Sequence, residues 1–352
     1  MTDTTAPPSA DPAGAASPGE AHDAPPITAD ELRRAGDIVA RVTEAFEAKV
    51  VGQRGLRDSL LVALLTGGHV LLESVPGLAK TTAAQTLARA VDASFRRIQC
   101  TPDLLPSDIT GTQIYDAKSS TFVTQLGPVH SHFVLLDEIN RSSAKTQSAM
   151  LEAMQERQTS IGGTVYRLPQ PFLVLATQNP IEQEGTYQLP EAQLDRFLLK
   201  EILDYPSPAE EAEIIRRIER GVYEADAEQP TGVHLDDVIE LQSLAKRVYI
   251  DPSIVNYIVQ LVYVTRHPHS YIAGTLADYI QFGASPRASI AFTQAARALA
   301  LLNGRDYVIP DDVKHLRHGV LRHRLILGYE AAADEVKPET IIDAIFGAVR
   351  TP

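Results

Sequence analysis

One cysteine, Cys100, stands among the 352 residues. That excludes an intramolecular disulfide and any cysteine-built zinc cluster, and it fits a reducing compartment. Basic charge is also scarce: 32 Lys and Arg face 45 Asp and Glu, for a net charge of -13. Such a balance argues against nonspecific binding to nucleic acid or to anionic lipid, both of which need basic surfaces. No apolar run approaches the roughly 20 residues of a membrane span, and the N-terminus lacks the basic-then-apolar layout of a signal peptide. The expectation is a cytoplasmic protein without a membrane span.

Residues 1–27 are rich in Ala, Pro, Ser, Thr and Asp, with Asp3, Asp11, Glu20 and Asp23 unmatched by Lys or Arg. That composition predicts a disordered acidic tail. Thr28 followed by Glu31 is a capping-box signature, and Ile38, Val42, Phe46 and Val50 then recur at helical spacing. A second amphipathic stretch follows Val51-Gly52 and runs to about Thr66, where Gly67-Gly68 ends it. From there apolar runs of strand length alternate with helical segments: 69–73, 94–99, 133–136, 172–176 and 197–203. The alternation predicts an α/β core with a parallel sheet and crossover helices. The runs are nearly continuous rather than alternating, as expected for strands covered on both faces. Beyond Pro206 the pattern turns helical, so an α/β core is placed at 28–206 and a helical domain at 207–352.

The segment from Leu71 to Thr81 ends a buried run in a loop that closes on Lys80-Thr81 before a helix. Backbone N–H groups and a helix N-terminus aimed at one spot make a polyphosphate site. The loop pattern G-x-x-x-x-G-K-[ST] wants glycine at both ends, and here Ser74 and Ala79 occupy those places. If the loop works, Lys80 reaches the β and γ phosphates and the Thr81 hydroxyl holds magnesium. Phe133 to Glu138 is a buried run ending in two acids, at the sheet edge where such folds bind ligands. Asp137 there suits magnesium and Glu138 suits activation of a water. Val174 to Asn179 is a third apolar run, and it ends in polar amides; Asn179 would stand beside Glu138 if the two strands are neighbours. His130 with His132 and His267 with His269 lack an acidic ligand set nearby and are expected at the surface rather than on a metal.

These blocks, with Thr101 to Gly111, Leu136 to Arg141, Gln147 to Glu156 and Leu189 to Phe197, resemble the MoxR family of AAA+ ATPases over roughly residues 30–350. The resemblance implies a phosphate-loop core with a small C-terminal all-helical lid. It implies ATP bound by Ser74, Val75, Pro76, Gly77, Leu78, Ala79, Lys80, Thr81 and Thr82 together with Val51 and Gly52. Asp137 and Glu138 match the Walker B acids, and Asn179 matches the first sensor. Arg196 matches an arginine finger that serves a neighbouring subunit, and Arg287 matches the second sensor, taken to act with Lys80. Ala79 agrees with the family form, whereas Ser74 departs from it. Gln158 to Leu168 resembles a hairpin with Gly162-Gly163 at its turn. By the same resemblance the protein forms a homo-oligomer, a hexameric ring, hydrolyses ATP with Mg2+, and remodels partners that carry von Willebrand factor A domains. Two rival readings are a nucleotide-gated scaffold with negligible turnover and a DNA-directed motor; the acidic balance disfavours the second.

Overall fold

The computed structural model describes residues 25–75, 77–179, 187, 189–224, 231–272 and 274–352. In chain order its strands are β1 (Val70–Ser74), β2 (Phe95–Gln99), β3 (Gly111–Asp116), β4 (Thr121–Leu126), β5 (Phe133–Asp137), β6 (Gln158–Ile161), β7 (Thr164–Arg167), β8 (Leu173–Gln178), β9 (Leu199–Leu203), β10 (Ile280–Phe282) and β11 (Ile326–Leu327). The helices of the first half are α1 (Ala29–Lys49), α2 (Arg54–Thr66), α3 (Lys80–Ala90), α4 (Pro106–Thr110), α5 (Ala144–Glu156) and α6 (Glu191–Leu194). Then come α7 (Pro208–Glu219), α8 (Leu235–Arg247), α9 (Pro252–Arg266), α10 (Pro286–Leu302), α11 (Pro310–His315), α12 (Arg317–Leu321), α13 (Tyr329–Ala333) and α14 (Pro338–Ala348).

Five strands form one parallel sheet in the order β2-β5-β8-β1-β9. Its apolar runs divide by residue parity. Val70, Leu72, Phe133, Leu135, Leu173 and Leu175 join a cluster with α1, α2, α3 and the lid helices, while Leu71, Val134, Leu136, Val174 and Ala176 join a second cluster with α5. Each central strand therefore buries both of its faces, which is why its sequence does not alternate. Burying one such Leu or Val side chain is worth about 1.5 to 3 kcal/mol, so a charge placed here would break the sheet. The edge strand β2 departs from that expectation, because Arg96, Arg97 and Gln99 are exposed.

Helix starts follow the capping signals. Thr28 and Glu31 form the expected reciprocal box at α1, and Ser207 with Glu210 forms another at α7, just past the end of β9. Residues 1–24 of the proposed tail lie outside the described residues. Residues 25–27 are held against the fold: the carbonyls of Pro25 and Pro26 accept from Arg247, and Ile27 is buried. The hairpin between Gln158 and Leu168 is present as β6–β7, with φ of 58° and 80° at Gly162 and Gly163, values that favour glycine in a two-residue turn. A second antiparallel hairpin, β3–β4, was not anticipated. Its signals are β-branched and aromatic residues on both arms and Asp116, whose carboxylate accepts from Lys118 N and Ser119 Oγ in the turn. The C-terminal lid is helical, as expected, with one short antiparallel ladder, β10–β11.

Candidate functional site

At the C-terminal edge of the sheet, β1 runs through Ser74 and Val75 into the loop. Gly77 takes φ 88° and Ala79 φ 53°, and α3 begins directly at Lys80. Ala79 is the N-cap residue and offers no side-chain acceptor, and the first turn of α3 holds no acid. The first N–H groups of α3 therefore have no partner from a capping side chain, which is the arrangement that receives an anion. Lys80, Thr81 and Thr82 are partly exposed there, while Leu78 is buried and anchors the loop. Val51 is half-buried and Gly52, with φ 68°, precedes α2. Pro76 lies outside the described residues. The Ser74 hydroxyl is buried and has no hydrogen-bond partner among the described residues.

The acids stand two strands away, with β8 between β5 and β1. Asp137 closes β5, and Glu138 follows it in the left-handed region at φ 58°. A non-glycine residue held there stores strain of order 1 to 3 kcal/mol and marks a position that the surroundings dictate. The constraint comes from Thr177 on β8, which is fully buried. Its hydroxyl donates to Asp137 Oδ1 at 2.7 Å and accepts from the Glu138 amide at 2.8 Å. One side chain thus fixes both acids. Arg97 on β2 donates through Nε to the other Asp137 oxygen at 3.2 Å. Gln99 donates to Glu138 Oε2 at 3.1 Å, and Arg141 pairs with the same oxygen at 3.3 Å. Asn179 is buried one residue beyond the end of β8, on the strand that neighbours Glu138.

Sequence reasoning did not single out Thr177, Arg97 or Gln99. Thr177 lay inside an apolar run, and the other two lay on a strand read as covered. Cys100 is buried beside these acids, and burial together with the Asp137 charge pushes its thiol up to about 12. It is a filler of the core, not a nucleophile.

The arginines lie elsewhere. Leu198 N donates to His69 O, so the segment before β9 is laced to the residue before β1, at the N-terminal edge of the sheet. Arg196 sits in that segment and donates to Gln155 Oε1 at 2.8 Å. Arg287 is found there too. Both line one cleft of about 320 Å³ together with Gly68, His69, Asp195 and Arg324. Arg287 thus lies with Arg196 rather than at the loop that ends in Lys80. Ser285, the N-cap of α10, donates to Asp195 Oδ2 at 2.7 Å and ties the start of α10 to this edge. With a strand rise of about 3.3 Å per residue, the five residues of β1 separate the cleft from the phosphate loop by roughly 16 Å.

Two family models match the chain. One, for the ATPase family associated with various cellular activities (AAA), covers residues 69–199, and one for the AAA lid domain covers residues 273–345. Chaperone MoxR1 of Mycobacterium tuberculosis is 50% identical over 343 residues, spanning 96% of this chain and 89% of that protein. Protein MoxR of Paracoccus denitrificans is 32% identical over 88% of this chain and 94% of its own length. A crystal structure from Cytophaga hutchinsonii, described as a presumed ATPase, superposes with a TM-score of 0.84 at 45% identity, covering 92% of this chain and 97% of that one. No helix among the described residues is long and apolar enough to cross a membrane. The phosphate loop, the paired acids, the helical lid and these likenesses converge on one assignment: the chain belongs to the MoxR family of AAA ATPases.

Proposed function

We propose that the protein hydrolyses ATP to ADP and phosphate in a homo-oligomeric ring, with each site shared between two subunits. The observation that carries this reading is the separation of the two halves of the site. Lys80, Thr81, Asp137, Glu138 and Asn179 occupy one edge of the sheet, while Arg196 and Arg287 occupy the other. Roughly 16 Å of strand lies between them, which supports a reading in which each arginine serves a neighbour's loop rather than its own. A neighbouring subunit that docks its arginine edge on the loop edge completes the set. The sixfold closure of the ring rests on the family resemblance.

Within one site the α3 N-terminus and Lys80 hold the phosphates, and Glu138 takes the proton from the attacking water. The partner's Arg196 and Arg287 offset charge that builds on the γ-phosphate, a task suited to a planar guanidinium that stays charged. The donor set fits magnesium: an aliphatic hydroxyl at Thr81 and a carboxylate at Asp137, held in place by Thr177, are the hard oxygen ligands that ion prefers. Magnesium bound there would neutralise the β and γ oxygens. Gln99 and Arg141 both engage Glu138 Oε2, so the base is restrained until they release it.

The relative named a chaperone supports a remodelling role, in which movement of the lid against the core works on a bound protein. Partners with von Willebrand factor A domains follow from the family resemblance. Steady-state phosphate release with Mg2+, wild type against Glu138→Gln, tests the enzymatic core of the proposal. A large drop in Glu138→Gln with nucleotide binding retained is the expected result. Equal background rates in both proteins would mean a nucleotide-gated scaffold instead.

A further inference from the structure

Asp195 has no part in the reading above, yet two distant segments of the chain, 285–287 and the one holding Arg324, converge on it. Arg324, just past α12, is buried, and each of its nitrogens is engaged. Its Nε donates to Asp195 Oδ1 at 2.7 Å. Nη1 donates to the carbonyls of Leu198 at 3.1 Å and Val320 at 2.6 Å. Nη2 donates to those of Asp195 at 3.3 Å and Phe197 at 2.7 Å. Ser285 accepts from Arg287 N at 3.1 Å as the α10 cap while its hydroxyl donates to Asp195 Oδ2. Arg287 Nη1 stands 3.9 Å from that same oxygen. A buried guanidinium is costly to desolvate and is tolerated only with its donors satisfied. Four of the five acceptors here lie on the 195–198 segment, so the lid dictates where that segment runs.

We propose that Asp195 is a positioning residue. Its carboxylate joins the lid, through Ser285 and Arg324, to the segment that carries Arg196, and so presents Arg196 and Arg287 as one unit to the neighbouring subunit's nucleotide. A movement of the lid then moves both guanidiniums together, which couples the state of one site to hydrolysis at the next. This inference rests on the finger role proposed for Arg196.

Asp195→Asn keeps the size of the side chain and an oxygen acceptor but removes the charge. Ser285→Ala removes one hydrogen bond from the same carboxylate and serves as the test where Asp195→Asn does not fold. The expected result for Asp195→Asn is a fall in kcat of about 10-fold to 100-fold with ATP affinity unchanged, and a smaller fall of the same kind for Ser285→Ala. The double variant Asp195→Asn/Arg196→Ala should lose clearly less than the product of the two single losses, because Asp195 acts in part through Arg196. Mixing Asp195→Asn subunits with Lys80→Ala subunits, whose Asp195 is intact, should restore hydrolysis. Multiplying losses in the double variant, ATP affinity that falls with kcat, or Ser285→Ala at the wild-type kcat would each overturn the proposal. Arg196→Ala hydrolysing at the wild-type rate would overturn the finger reading itself. Arg196→Ala inactive beside a fully active Asp195→Asn would overturn only the coupling.

Discussion

The two edges of the parallel sheet are built in opposite ways. At the C-terminal edge each chemical group follows directly on a buried strand: the loop after β1, the acids at the end of β5, Asn179 after β8. At the N-terminal edge the cleft is assembled from residues 195–198, 285–287 and 323–324, which no short motif contains. Strand ends in a parallel sheet deliver local sequence to a shared edge, whereas a cleft between core and lid depends on how distant helices pack. One edge is therefore written contiguously, and the other exists only once the lid is in place.

The largest effect separates the edges directly. Arg196→Ala should lower hydrolysis by about 1000-fold or more, in line with fingers supplied by a neighbour, while ATP binding at the loop persists. Rings mixed with Lys80→Ala subunits should regain part of the rate, and no recovery at any ratio would put both edges in one subunit's site. Next in size is Thr177→Val, which keeps the shape but strands the Glu138 amide and one Asp137 oxygen. A loss of about 3 kcal/mol in unfolding free energy is expected, together with slower hydrolysis. A variant as stable and active as wild type would remove Thr177 from the account of the acids.

Acid should loosen the cleft edge. His69 is fully buried; its Nδ1 accepts from Val174 N at 3.1 Å, and burial lowers its pKa to about 3. Buried His323, bound to Phe197 O, is likewise held well below its ordinary value by burial. Both rings stay neutral in the fold but gain a proton when unfolded below a pH of roughly 6.5. Their contribution is thus complete above that pH and is lost as pH falls toward the folded value. At pH 5 the His69 share of that loss is about 2 kcal/mol. Urea midpoints at pH 7.5 and 5.0 check this, and a flat or rising midpoint toward pH 5 would contradict it. The smallest effect concerns the loop: Ala79→Gly relieves a left-handed alanine and should stabilise by at most about 1 kcal/mol, with Kd for ATP unchanged in equilibrium binding.

Much of the fold was legible because the physics is local. Buried strands read as apolar runs, and the capping pair Thr28–Glu31 marks a helix start within four residues of sequence. The edge strand β2 was placed correctly but its character was not. Arg97 and Gln99 look like interruptions until the strand order puts them beside Asp137 and Glu138. The β3–β4 hairpin was missed for a related reason. Its apolar residues, Tyr115 and Phe122 among them, face outward and pair with each other rather than with the core, so burial left no trace in the pattern.

By itself the sequence determined a parallel α/β core, a phosphate loop ending in Lys80-Thr81 and a pair of acids at a strand end. Side-chain period, capping chemistry and turn residues act over a few positions and leave a direct imprint on the chain. Only the tertiary structure decided that Thr177 holds both acids, that Gln99 restrains Glu138, and that Arg287 belongs with Arg196 across Asp195. Those pairings follow from β5 lying between β2 and β8 and from the lid packing against the segment before β9. Hydrogen bonds across strands and between lid and core are set by register and helix packing, which chain order does not specify.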